Sequence, residues 1–288
     1  MKPGFAILDL LGDSVGRIKA IDVGALDVGG PAPHYAGLTE SGLLDVVGFE
    51  PVSEACAALN AEAPAGWRFL PYFIGDGGPA EFRLCNYPMT SSLFEPNLPL
   101  QSKFMHLAEL CQVVERETVV TKRLDDIPEA AGANYLKLDV QGAALLVLEG
   151  AGTLLDEVLL IETEVEFVPL YLGQPLFAEI DQALRAKGFL FHRFLGPAGR
   201  GFKPLHPTGN PYAPISQLLW SDAVYVRDFT RLDTLRPDQL LKLALMLHEL
   251  YGSIDLARLC VEEHDRQAGG DRAEAYLARI LAPPEPAV

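Results

Sequence analysis

Short apolar runs alternate with helical or loop stretches from Arg17 to about Asp228, and most of these runs are apolar on both faces. Strands buried on both sides read this way, so the pattern predicts a parallel sheet covered by helices. The runs lie at 18–23, 45–49, 68–74, 135–140, 158–163, 189–194 and 223–227. Between them, 53–60 and 143–155 have helical spacing, and Phe177, Ile180 and Leu184 recur along one side of an amphipathic helix over 177–187. The predicted architecture is α/β: a doubly wound, mostly parallel seven-stranded sheet.

Two stretches break the rhythm, 87–101 with three prolines and 196–214 rich in Gly and Pro, and long irregular loops of this kind are candidate substrate-facing segments. Beyond Pro237 the pattern changes to helical stripes: Leu240, Leu243, Ala244, Leu247 and Tyr251, then Leu256, Leu259 and Cys260, then Ala273, Leu277, Ile280 and Leu281. Gly252 and the Gly269-Gly270 pair punctuate them, and Asp271 with Glu274 makes a capping-box-like start. The chain therefore divides into a sheet domain, 1–232, and a C-terminal α-helical extension, 233–288. The extension is read either as a cap packed on the sheet or as a surface for a partner, including a second copy of the chain.

Composition narrows the class. Of 288 residues, 49% are hydrophobic and 22% charged, values of a globular chain that exclude a disordered or collagen-like one. No apolar run approaches the ~20 residues of a membrane span; Val158 to Ile161, for instance, is cut short by Glu162 and Glu164. Lys2 and then Asp9 stand where a secretory leader would place a basic start and a long apolar block, so a cytoplasmic location is expected. The 23 basic against 39 acidic side chains give a formal net charge of −16, with no basic patch, which argues against nucleic acid and anionic lipid as partners. Cys56, Cys85, Cys111 and Cys260 lie far apart, form no C-x-x-C pair, and read as reduced, buried thiols.

The chemistry concentrates at strand ends. The segment Ile21-Asp22-Val23-Gly24-Ala25-Leu26-Asp27-Val28-Gly29-Gly30 is a glycine-rich turn after the first strand, at the edge of the sheet where open α/β folds bind ligands. Gly24 and Gly29 fit the first and last glycines of a dinucleotide fingerprint, but Leu26 occupies the middle position and would obstruct a pyrophosphate. No Lys follows Gly29 to make a phosphate loop. Asp22 beside the turn would repel a phosphate and attract an ammonium or a sulfonium, and S-adenosylmethionine carries both. Glu50, closing the second strand, suits a ribose diol.

In this order along the chain, the segments DVGALDVGG (22–30), VVGFEP (46–51), FIGDGG (73–78), TSSL (90–93), KLDVQGAALLVLEGA (137–151) and LLIETE (159–164) resemble the FkbM-type class I S-adenosylmethionine-dependent methyltransferases. The resemblance runs from about Ile18 to Arg227. It implies a Rossmann-like fold with the last strand inserted antiparallel, and methyl transfer to a hydroxyl of a sugar, glycan or other small molecule. By resemblance, Asp22, Gly24 and Ala25 line the methionine end, Glu50 holds the ribose, Asp76 reaches the adenine amino group, Ser91 and Ser92 sit beside the cofactor, and Asp139 faces the transferred methyl. Gly29, Pro51 and Gly75 complete the cofactor set.

Methyl transfer needs an acceptor oxygen held in line and relieved of its proton. Asp139, Glu162 and His192 are the catalytic candidates: Asp139 and Glu162 at strand ends, His192 in the sixth strand as a proton acceptor. Glu162 and Glu164, two apart on one strand face, suit a polyol acceptor. No metal is expected, since no second cluster completes an oxygen-rich cage. Tyr212 and Trp220 flank the Gly/Pro-rich loop as stacking candidates. The sequence departs from the family pattern at Leu26, where Asn is common, and at Gln141, where Glu is common, and Pro31 and Pro33 compromise a helix after the first strand. These departures motivate a second reading, a catalytically impaired relative acting as an interaction module through its C-terminal helices.

Overall fold

The computed structural model describes residues 4–25, 32–207 and 209–282. Its longer strands are β1 (Ile18–Val23), β2 (Leu44–Phe49), β3 (Trp67–Leu70), β4 (Pro79–Cys85), β5 (Val113–Val120), β6 (Tyr135–Leu138), β7 (Leu160–Glu166), β8 (Phe189–Ala198) and β9 (Trp220–Arg227). Seven of these form one sheet in the order β8-β9-β7-β6-β1-β2-β3, parallel from β3 through β7, with β9 inserted antiparallel between β7 and β8. This is the architecture the apolar runs predict. The antiparallel pair β4 and β5 was not foreseen; Val113–Val120 (VVERETVV) is largely exposed, so it lacks the apolar signature of a central strand.

Period-two alternation divides each central strand between two cores. In β1, Ile18 and Ala20 enter one cluster and Ile21 and Val23 the other. In β7 (LIETEVE), Ile161 and Val165 enter the second cluster, which sends Leu160, Glu162, Glu164 and Glu166 to the opposite face. Helices α1 (Ser53–Glu62), α2 (Ala144–Glu149) and α3 (Phe177–Ala186) flank the sheet, and Val147, Leu148, Ile180 and Leu184 of the last two fill the second cluster. The first cluster is covered by α4 (Pro237–Tyr251), α5 (Ile254–Ala268) and α6 (Arg272–Leu281), together with the N-terminal turns around Ile7, Leu11 and Val15. Where the sequence places Pro31 and Pro33, the described chain resumes at Ala32 and forms a 3-10 helix, His34–Ser41.

The C-terminal helices share their core with the sheet: Leu240, Leu243, Ala244 and Leu247 of α4 pack with Ala20, Val46, Tyr135 and Val224. Pro237 opens α4, and Gly252 at φ 58° ends it. Among the described residues, no helix is long and apolar enough to cross a membrane.

Candidate active site

A cavity of about 360 Å³ opens at the carboxyl ends of β1, β2 and β6. Gly24 makes the close approach there possible. Its φ is +87°, and a Cβ would lie 1.9 Å from the backbone oxygen of Asp139, so the turns after β1 and β6 touch only because no side chain intervenes. Its apolar lining includes Phe49 and Ile74, Phe82 and Leu84 of β4, and Met89. The unforeseen β4 thus contributes to the lining of the cavity.

Polar groups stand at its ends. Glu50 follows β2 and is 4% exposed, and its Oε1 accepts from the Val52 N–H at 2.8 Å. Burial pushes this carboxyl above its ordinary range, against the opposing hydrogen bond from Val52. Asp139 follows β6 and its side chain is 39% exposed, the open carboxylate of the cavity. Gln141 holds it. Gln141 Nε2 donates to Asp139 Oδ1 at 3.0 Å and to Glu164 Oε2 at 2.8 Å, while Oε1 accepts from the Tyr171 hydroxyl at 3.1 Å. Its backbone sits at φ 47°, a left-handed conformation that costs a non-glycine residue on the order of 1 kcal/mol or more, anchored by Ser92 Oγ donating to its carbonyl at 2.6 Å.

Gly24, Glu50, Pro51, Ser91, Ser92 and Asp139 of the sequence-derived set line this cavity together. Ala25 adjoins it, its N–H donating to the Phe49 carbonyl at 3.1 Å. Gly29, like Leu26, lies outside the described residues. Gly75 and Asp76 are not part of the lining: a Cβ on Gly150 would lie 2.0 Å from the Gly75 carbonyl oxygen, and Asp76 Oδ1 accepts from the Gly78 N–H at 2.8 Å, closing its own turn. Asp22 is on the other sheet face, 3% exposed, accepting from Tyr35 Oη at 2.6 Å and from Lys137 Nζ at 3.2 Å. Lys137 reaches on to Asp139 Oδ2 at 3.9 Å. Burial alone would lower the Lys137 ammonium, but the Asp22 and Asp139 carboxylates outweigh it and hold the group above its ordinary value.

Next to the cavity, carboxylates line the sheet face that α4 covers. Cross-strand registration aligns Asp22, Lys137 and Glu162, and pairs Glu164 with Asp222. Burial pushes Asp222 up to about 6 and Glu166 up to about 7, and raises Glu164 as well. Glu162 behaves differently. Its burial is outweighed by hydrogen bonds from His34, Tyr251 and Tyr135, which keep it below the usual carboxylate range. Of Glu162, His34, Tyr251 and Tyr135, the sequence marked only Glu162 as a site residue. His34 is an isolated histidine behind two prolines, and the tyrosines are 27 and 89 residues away from Glu162, so no local signal joined them.

His192, the sixth-strand candidate, turns to the C-terminal helices: its Nε2 lies 2.8 Å from Ser253 Oγ, which Arg193 also contacts at 2.7 Å. Burial holds its imidazole below the ordinary value. Trp220 and Tyr212 flank the Arg200 guanidinium, at 5.2 and 5.5 Å from the ring centroids.

A family model described as methyltransferase FkbM domain matches residues 22–191. A solved structure of magnesium protoporphyrin IX methyltransferase (ChlM) from Synechocystis PCC 6803, with bound SAM, is similar at 12% identity and a TM-score of 0.38, over 77% of this chain and 76% of that one. No curated protein sequence matches the chain.

Proposed function

Because this chain belongs to the FkbM methyltransferase family, we propose that it transfers a methyl group from S-adenosylmethionine to a hydroxyl of a sugar, glycan or other small molecule. One observation carries the reading: a mostly apolar cavity at the carboxyl ends of β1, β2 and β6 is lined by both buried Glu50 and the more open Asp139. The apolar lining that includes Ile74 and Phe82 suits a purine, Glu50 can accept from both hydroxyls of a ribose, and Asp139 suits an ammonium or sulfonium. The residues present therefore fit this cofactor.

When bound, S-adenosylmethionine supplies a methyl already activated by its sulfonium. The chain's own residues position and desolvate. Gln141 fixes the rotamer of Asp139, so the carboxylate meets its ligand pre-oriented, and placement of this kind contributes up to ~7–11 kcal/mol in well-aligned systems. Lys137 balances the charge of Asp22 and Asp139. A cytoplasmic setting suits Cys56, Cys85, Cys111 and Cys260, which are buried and unpaired.

Calorimetric titration tests the assignment. S-adenosylmethionine and S-adenosylhomocysteine are both expected to bind wild type, and Glu50→Gln should weaken both by about tenfold or more, the equivalent of one charged hydrogen bond. Equal affinity in wild type and Glu50→Gln would remove the ribose role, and absence of any binding would remove the cofactor.

A further inference from the structure

His34 opens the 3-10 helix that follows the β1 turn, and its Nδ1 lies 3.0 Å from Glu162 Oε1. The carboxylate behind it is held from every side. Glu162 is 3% exposed, and its Oε2 lies 2.9 Å from Tyr135 Oη and 2.6 Å from Tyr251 Oη, the two phenol oxygens being 2.7 Å apart. Tyr251 also stacks on the imidazole, with centroids 5.6 Å apart and planes inclined by 27°. The imidazole itself is accessible, with 43% of its side chain exposed against 4% for Glu162.

This arrangement fixes a tautomer. With Nδ1–H donated to the carboxylate, the neutral ring carries its basic lone pair on Nε2, as in carboxylate–histidine pairs that accept protons in catalysis. Neither residue lines the cavity, but Lys137 connects the pair to it. Glu162 stands opposite Lys137 in the register of β6 and β7, and Lys137 bridges toward Asp139 at the cavity mouth.

Resting on the methyltransferase reading above, we infer that His34 accepts the proton of the acceptor hydroxyl and that Glu162, locked by Tyr135 and Tyr251, is its positioning residue. The step balances: the acceptor oxygen bonds to the methyl carbon, and the carbon–sulfur bond breaks with its electron pair passing to sulfur. The hydroxyl proton moves to His34 Nε2, and the imidazolium, stabilised by Glu162, releases it to water. Asp139, tied to Gln141, then orients the acceptor. The groups facing His34 are Glu162 on β7, Asp222 on β9, Lys137 on β6 and Tyr251 on α4; the Glu162 hydrogen bond, then its charge and that of Asp222, raise the imidazole, while burial and Lys137 oppose them.

Histidine side-chain NMR on the full-length protein tests this without needing the natural acceptor. His34 should titrate above an ordinary histidine in wild type and fall toward it in Glu162→Gln. Tyr251→Phe is the milder variant, keeping the carboxylate and lowering the shift in part. S-adenosylhomocysteine, shown by calorimetry to be bound, should move the His34 resonances and leave those of His206 in place. With a panel of simple polyols and labelled S-adenosylmethionine, His34→Gln should lower turnover about a hundredfold to ten-thousandfold with cofactor KM nearly unchanged. An ordinary His34 titration, or a bound ligand that leaves His34 silent, overturns the dyad alone. Failure of the ligand to bind at all overturns the cofactor reading and this inference with it.

Discussion

Glu162 and Glu166 stand four residues apart on one strand face, both almost fully buried, yet their carboxyls shift in opposite directions. The difference lies in partners. Three hydrogen bonds converge on Glu162, whereas Glu166 is raised to about 7 chiefly by burial. Folded Glu166 thus binds its proton more tightly than the unfolded chain does. Stability from this group is present below the unfolded value of about 4.5 and is lost as pH rises through about 7. Urea unfolding should accordingly weaken between pH 5 and pH 8, and Glu166→Gln should flatten that decline, by at most on the order of 3 kcal/mol. A wild-type profile with no decline, or one unchanged in the variant, would remove this attribution. The sequence placed Glu162 at a strand end, whereas it is the third of the seven residues of β7, and it assigned Asp22 to the ligand without the Lys137 and Tyr35 that engage it. Such pairings join positions far apart in the chain, and no spacing rule reaches them.

The seven strands of the sheet were readable because they are largely apolar and the central ones are buried on both faces, and the helices 177–186 and 237–251 because their stripes repeat with helical period. The antiparallel pair β4 and β5 was not, since its strands carry Glu and Arg at exposed positions; consequently Phe82 and Leu84, two apolar residues of the cavity lining, were missed. The turn after β1 was readable in its glycines. Gly24 holds two turns in contact at φ +87°, with the Asp139 carbonyl where a Cβ would sit. Gly24→Ala should cost about 2 kcal/mol or more and abolish S-adenosylhomocysteine binding, because relief of the clash parts the ends of β1 and β6. Gly132→Ala is the control: φ is +75°, but nothing lies within 4 Å, so only about 1 kcal/mol of backbone strain applies and binding should persist. Similar losses in both variants would refute the close-contact explanation.

Sequence composition changes character at about residue 233, yet the hydrophobic core does not: α4 packs against β1, β6 and β9 in the same cluster as Ile7 and Leu11. Removal of residues 233–288 would uncover that face. Burial of Leu240, Leu241, Leu243, Leu245 and Leu247, at about 1.5–3 kcal/mol each, is comparable to the whole ~5–15 kcal/mol stability of a domain. A chain ending at residue 232 should therefore lack a cooperative thermal transition and near-ultraviolet circular dichroism, while the full chain shows both. A sharp transition in the shortened protein would establish an autonomous sheet domain instead.

Tyr251 comes from the last stretch of α4 and reaches Glu162 across the sheet face. During translation, then, the ribosome must release more than two hundred and fifty residues before the carboxylate behind His34 acquires its final lock. Until that moment the proposed His34–Glu162 pair is unfinished in the nascent polypeptide, and its lock closes only once the end of α4 has emerged.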